Sequence, residues 1–184
     1  KFEKAKNLPR AVAEECSKGS IVAFFSGPME FGDRALGCRS ILADPRLDKT
    51  KSKINKQVKY RESYRPFAPS VIHEKSSKYF EVSNNFLCKY MEKVVNVRKK
   101  YRKKLQAITH IDGTARLQTV TSQDNTIYYK ILKEFEKITT FPILLNTSLN
   151  INGEPLVMSP DDAITTFYNS GLDVLVLGNF IIKK

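Results

Sequence analysis

Apolar positions along this 184-residue chain follow two different periods, and the switching between them outlines a fold. Leu8, Val12 and Cys16 repeat every fourth residue, which predicts a helix over Leu8–Lys18 with Gly19 as its stop. The run Ser20-Ile21-Val22-Ala23-Phe24-Phe25 is apolar after its first residue and has the length of a buried strand, ending at Ser26-Gly27-Pro28. Asp44-Pro45 reads as an N-cap followed by a helix with Leu47, Ile54 and Val58 near one face. The clearest amphipathic helix places Ile127, Tyr128, Ile131, Leu132, Phe135 and Ile138 on one side, with Asp124 as its cap. Pro142–Leu145 is a strand candidate, and Ser159-Pro160-Asp161-Asp162 is a capping box for a helix that closes at Ser170-Gly171. Asp173–Gly178 predicts a second buried strand, and Leu117–Val120 an alternating one. The prediction is one α/β domain over residues 1–184, a mixed twisted sheet with flanking helices and an irregular basic middle.

Composition narrows the picture without naming a function. A hydrophobic content of 41% suits a core of this size, and no apolar run approaches the roughly 20 residues of a membrane span. No signal-peptide pattern is read. Cys16, Cys38 and Cys88 are odd in number and far apart, with only His73 and His110 beside them, so a reduced, cytoplasmic setting without a bound structural metal is expected. The net charge of +12 invites a nucleic-acid reading, but it is localised: Arg46–Lys104 holds 18 Lys and Arg against 5 Asp and Glu. The densest part, Arg98–Lys104, has one tyrosine and no reader motif, and is expected to be a solvated or partner-facing segment.

Four segments concentrate polar residues among glycines and prolines. Gly27–Ser40 contains Gly27, Gly32 and Gly37, which let backbone approach a ligand, and Arg34 and Arg39, which offer forked donors to phosphate oxygens; it does not end as a Walker loop does. Lys59–Ser70 carries Lys59, Arg61 and Arg65 beside Pro66-Phe67-Ala68-Pro69, whose prolines restrict Arg65; Arg61 with Glu62 reads equally as structural. Thr109–Val120 holds His110 and Asp112 with no serine or cysteine nucleophile at a known spacing, so His110 is expected to be structural, and Asp112-Gly113 a turn that delivers Arg116. Asn146-Thr147-Ser148-Leu149-Asn150 either binds a base, ribose or carbamoyl amide or forms a side-chain-stabilised turn. The residues alone point to a phosphorylated ligand.

The strings Met29-Glu30-Phe31-Gly32, Arg34-Ala35-Leu36-Gly37 and Arg39–Arg46 resemble the opening signature of the carbamoyltransferase C-terminal domain family. So do Arg65–Pro69, Thr109–Arg116 with Gln118-Thr119-Val120, Leu145–Ser148, Gly153-Glu154-Pro155 and the Gly171–Asn179 ending, all in the family's order. The family includes nodulation proteins and antibiotic carbamoyltransferases. The resemblance implies a YrdC-like domain that binds carbamoyl phosphate and ATP with Mg2+ and forms carbamoyl-adenylate. It further implies an N-terminal actin-like half, not in this chain, that holds the catalytic metal and the acceptor hydroxyl. Carried onto this sequence, Arg34, Lys59, Arg65 and Arg116 are the expected catalytic cations, and Arg39, Ser40, Asn146 and Ser148 the expected substrate- and nucleotide-binding residues, with no protein metal ligands.

The sequence departs from the family's usual arginine at Pro28, proline at Asp33 and asparagine at Cys38, all in the first loop. Asp33 places an anion beside a proposed anion site. A catalytically idle interaction or regulatory module is therefore the competing reading, and an RNA-binding domain using the basic middle a more distant one.

Overall fold

The computed structural model describes residues 2–184. Nine strands form one mixed sheet: β1 (Phe2–Lys4), β2 (Val22–Phe25), β3 (Arg39–Ala43), β4 (Ala68–Ile72), β5 (Lys93–Asn96), β6 (Thr114–Val120), β7 (Ile143–Ser148), β8 (Val174–Leu177) and β9 (Phe180–Lys183). Their order across the sheet is β1-β9-β8-β2-β3-β7-β4-β6-β5. The β2–β8 and β4–β6 pairs are parallel and the rest antiparallel, which agrees with the mixed sheet read from the sequence.

Among the described residues six α-helices accompany the sheet, α1 (Leu8–Ser17), α2 (Thr50–Gln57), α3 (Ser76–Tyr79), α4 (Lys99–Arg102), α5 (Thr126–Thr139) and α6 (Pro160–Tyr168), with one 3-10 turn at His73–Lys75. Leu8, Val12, Ala13 and Cys16 of α1 join Tyr128, Ile131, Leu132 and Phe135 of α5 over Val22, Phe24, Leu42 and Leu144 on one face of the sheet. Ile54 of α2 and Ala163 and Phe167 of α6 cover Ala23, Ile41, Leu145 and Leu175 on the other. Period-2 alternation of the strands accounts for this division: Leu144 goes to one core and Ile143 and Leu145 to the other. Among the described residues no helix is long and apolar enough to cross a membrane.

Several local expectations are corrected. Asp44 does not cap a helix; fully buried, it accepts the Arg46 N–H and holds the Arg46 guanidinium at 2.6 Å, and α2 begins only at Thr50. The cap of α5 is Asn125, whose side chain accepts the Tyr128 N–H, rather than Asp124, which pairs with Lys89. The Ser159 capping box is present, with Asp162 completing it. Pro66–Pro69 is not wholly a rigid loop, because β4 starts at Ala68 and carries Pro69 opposite Leu145. Leu117–Val120 is buried on both faces rather than alternating, since β6 lies inside the sheet between β4 and β5. Asn146–Ser148 is the end of β7, and the side-chain-stabilised turn comes only after it, where Ser148 Oγ donates to Asn150 Oδ1 at 2.7 Å and the Asn150 N–H to the Ser148 carbonyl at 3.1 Å.

Candidate anion site

The site grows from a polar patch in an otherwise apolar sheet face. Asn146 of β7 lies opposite Ala68 of β4, and Ser70 of β4 lies level with Gln118 of β6, so Arg116, two residues before Gln118, reaches the same row as Ala68 and Asn146. Asn146 Nδ2 donates to Gln118 Oε1 at 2.9 Å, and the Ser70 hydroxyl donates to the same oxygen. All three residues are buried. Their outward-facing groups carry the β2–β3 loop: Asn146 Nδ2 donates to the Ala35 carbonyl at 3.0 Å, and Gln118 Nε2 to the Leu36 carbonyl at 3.1 Å.

Gly37 fixes the loop from the helix side. It has φ +111°, and a Cβ there would come within 2.4 Å of the Tyr128 ring, so only glycine fits between loop and α5. Its N–H donates to Ser40 Oγ at 3.0 Å, and its carbonyl accepts from Asn125 Nδ2 at 3.3 Å.

Where loop and sheet meet, a cavity of about 130 Å³ is lined by Asp33, Arg34, Arg61, Phe67, Met91, Arg116 and the Asn146–Ser148 strand end, among others. An adjoining space of about 470 Å³ shares Asp33, Arg34, Met91 and Arg116 and adds Phe31, Gly32, Leu36, Tyr90 and Glu92. Three guanidiniums thus border one small space. Burial, reinforced by the charge of Arg34, lowers the pKa of Arg116; burial, then Arg65 and Arg116, lowers that of Arg61. Arginine stays charged nonetheless, and Asp33 is the one carboxylate on the small cavity. Arg116 Nε is buried without an acceptor in the protein. An oxyanion would supply acceptors to such donors and relieve their repulsion.

The eight sequence-predicted residues divide by position. Arg34, Arg116, Asn146 and Ser148 line the small cavity. Lys59 stands beneath them: its Nζ donates to the Ser148 carbonyl at 2.6 Å, Asn150 Oδ1 at 2.8 Å, the Asn150 carbonyl at 3.0 Å and Ser148 Oγ at 3.2 Å. Burial, then the nearby Arg61, pushes its pKa down to about 7, against the pull of those four oxygens. Lys59 is built to hold the end of β7. Arg39 is buried with its guanidinium 3.5 Å over the Phe25 ring and donates to the Gly27 and Cys38 carbonyls, so it braces the loop. Ser40 Oγ serves Gly37. Arg65 lies outside the cavity in a half-exposed pair with Glu62 at 2.9 Å.

Arg61 takes the place that the sequence reading gave to Arg65. Tyr60 has φ +45°, and Arg61 beyond it donates from Nε to Asn55 Oδ1 at 2.8 Å and lies over Phe67. The pairing of Arg61 with Asn55, six residues away on a helix, gives no sequence signal. His110 meets its structural expectation: Nδ1 lies 3.0 Å from Thr114 Oγ1, inside the turn closed by Gly113, and burial lowers its pKa. Among the described residues no three His, Cys, Asp or Glu side chains cluster as a metal site. Arg98–Lys104 lies away from the cavity, with α4 beside Ser77, Lys78 and Glu81.

Fold and site together define an α/β domain with a YrdC-like sheet and an arginine-lined cavity at one edge of its central strands. HypF, solved full-length in a phosphate- and nucleotide-bound form, superposes on 99% of this chain and 22% of its own, with TM-score 0.63 and 16% identity. Sua5 from P. abyssi superposes on 96% of this chain and 51% of its own, with TM-score 0.66 and 15% identity. These likenesses concern the fold. The sequence matches the profile of the family described as carbamoyltransferase C-terminus over residues 13–184, and the chain belongs to that family. Nodulation protein NolO of Bradyrhizobium diazoefficiens is 48% identical over the whole chain, which covers 34% of NolO. The 3'-hydroxymethylcephem-O-carbamoyltransferase of Amycolatopsis lactamdurans is 37% identical over 88% of the chain, which covers 30% of that enzyme. The chain therefore spans about a third of the length of these relatives.

Proposed function

We propose that this chain is the activating part of an O-carbamoyltransferase, holding carbamoyl phosphate in the small arginine-lined cavity and ATP in the larger adjoining space. The observation that carries the reading is the convergence of Arg34, Arg61 and Arg116 on a space of about 130 Å³, one donor of Arg116 having no acceptor in the protein. A cavity of this size suits a phosphate or carbamate group, not a nucleoside. The larger space, with Tyr90 and Phe31 on its walls, has room for more of a nucleotide.

In the proposed chemistry water first cleaves carbamoyl phosphate to carbamate and inorganic phosphate, which leaves. A carbamate oxygen then bonds to the α-phosphorus of ATP while the bond to the bridging oxygen of pyrophosphate breaks, giving carbamoyl-adenylate and free pyrophosphate. Guanidiniums set around the reacting groups offset the charge that develops on the departing pyrophosphate. Magnesium would arrive with the nucleotide and neutralise phosphate charge. Asn146 Oδ1, buried without a donor in the protein, is suited to the carbamoyl NH2. The carbamoyl group would then pass to an acceptor hydroxyl held by the remainder of a longer protein, an assignment supported by the O-carbamoyltransferase name of the Amycolatopsis relative.

Given ATP, magnesium and carbamoyl phosphate, the chain is expected to release pyrophosphate above its ATP-only control, and an Arg34→Ala, Arg116→Ala double variant is not. Calorimetry that finds neither ligand bound to the wild type would discard the reading in favour of an idle module, which Asp33 on the walls of both spaces would then explain.

A further inference from the structure

Glu30 belongs to none of the walls of the small cavity, yet more of the β2–β3 loop converges on it than on any ligand-facing residue. Its Oε1 accepts the backbone N–H of Leu36 at 2.6 Å, of Cys38 at 2.7 Å and of Arg39 at 3.2 Å. Successive backbone donors folded around one anionic oxygen form a nest, the arrangement that elsewhere holds phosphates and carboxylates. Here the anion comes from the chain itself, six to nine residues upstream of the donors it gathers.

The carbonyls of the same stretch are held from the opposite side. Ala35 O accepts from Asn146 and Leu36 O from Gln118, both on the sheet. The stretch after Arg34 is therefore fixed through its donors by Glu30 and through its acceptors by β6 and β7. Arg34 itself has an exposed side chain, so its own contacts do little to place it. Its position in the cavity wall is inherited from the backbone that follows it.

We propose that Glu30 is a positioning residue, whose Oε1 folds the β2–β3 loop so that Arg34 stands in the cavity wall before an anion arrives. The inference rests on the cavity being the anion site. Loop ordering is then met during folding rather than at binding, which is how preorganisation raises affinity. It also sets two effects of Glu30 against each other: as a charge it opposes a nearby anion, and as a hydrogen-bond acceptor it builds the anion's site.

Two substitutions separate those effects, since Glu30→Gln and Glu30→Ala both remove the charge and only the second removes the acceptor. Calorimetry with inorganic phosphate and with carbamoyl phosphate is expected to place Glu30→Gln within about threefold of wild type and Glu30→Ala at least about tenfold weaker, the scale of losing one charge-assisted contact. Equal affinity of Glu30→Ala and wild type, or an equal loss in both variants, overturns the proposal. Amide hydrogen exchange on the unsubstituted protein gives a second reading that holds even where Glu30→Ala does not fold. Leu36 and Cys38 N–H are expected to be protected without ligand; exchange at unprotected rates until phosphate is added would mean that the ligand, not Glu30, orders the loop. Were the wild type to bind neither anion while these amides stayed protected, the failure would belong to the cavity and not to Glu30's hold on the loop.

Discussion

Replacing Arg116 by alanine should change stability and anion binding in different ways, because Arg116 carries an unmet donor in the free protein. Its Nε is buried with no acceptor and it stands beside Arg34. A buried unsatisfied donor costs about 1–3 kcal/mol, so its removal offsets the packing lost with the side-chain stem. Ligand-free stability of Arg116→Ala in urea is expected within about 1 kcal/mol of wild type. Binding should fall instead. A charge-assisted hydrogen bond contributes about 1.5–3 kcal/mol, which is about tenfold to a hundredfold in Kd. At phosphate one hundred times the wild-type Kd, ligand stabilises wild type by about 2.7 kcal/mol; a variant about thirtyfold weaker gains about 0.9 kcal/mol at that concentration. The difference of about 2 kcal/mol corresponds to roughly 4–8 °C in ligand-induced Tm shift for a domain of this size. Arg65→Ala is the control: its side chain is 50% exposed, paired with Glu62 and outside the cavity, so its ligand-induced shift should match wild type. Equal shifts for wild type and Arg116→Ala, or a loss confined to Arg65→Ala, would refute the placement of the anion.

Gly37→Ala places a Cβ 2.4 Å from the buried Tyr128 ring at a φ of +111°, and is expected to lower stability by about 2–4 kcal/mol in urea denaturation. Lys59, with a folded pKa of about 7 against 10.5 unfolded, contributes stability that is present above the unfolded value and lost as pH falls through the folded one. Between pH 10 and 7 wild type should therefore lose stability relative to Lys59→Met by up to about 1.4 kcal/mol per pH unit, and parallel pH profiles would contradict this. Asp33→Asn removes the carboxylate from the small cavity and is expected to tighten phosphate by about threefold at low salt and less at high salt, as calorimetry at two ionic strengths would reveal.

Elements that bury a continuous apolar run or a whole helical stripe were legible in the sequence: β2, β8 and α5 declare themselves without tertiary information. The strands β3 and β4 do not. β3 opens on an arginine that is buried only because it stacks on Phe25, and β4 carries a proline inside the sheet. The site divides in the same way. Arg34, Arg116, Asn146 and Ser148 stand out because their chemistry is local and their strings resemble a known family. Gln118 and Asn146 act on loop carbonyls 82 and 111 residues distant, and Asn125 caps α5 while also holding Gly37. No window of sequence contains both ends of such a bond. The exchange of Arg65 for Arg61 has a similar origin, since the bonds from Asn55 to the Ser63 and Arg65 carbonyls and from Arg61 to Asn55 depend on a turn that passes through positive φ at Tyr60.

The arrangement has a thermodynamic consequence that links fold to binding. Ser70, Gln118 and Asn146 occupy sheet positions where apolar side chains would pack as well and require no partners. Their hydrogen bonds are largely directed at one another and at the β2–β3 loop, so the stabilisation they provide is tied to that loop being in place. Loss of the loop's conformation leaves two buried amide donors, Asn146 Nδ2 and Gln118 Nε2, short of partners, at about 1–3 kcal/mol for each unsatisfied group. Arg34, Arg61 and Arg116 pull the other way, since their mutual repulsion is relieved only by an anion or by the loop moving Arg34 outward. The sheet network holds the loop closed against that repulsion. An oxyanion in the cavity would remove the opposition and leave the network unopposed, so binding should raise the protection of the Leu36 and Cys38 amides further than it raises that of the α1–α5 core.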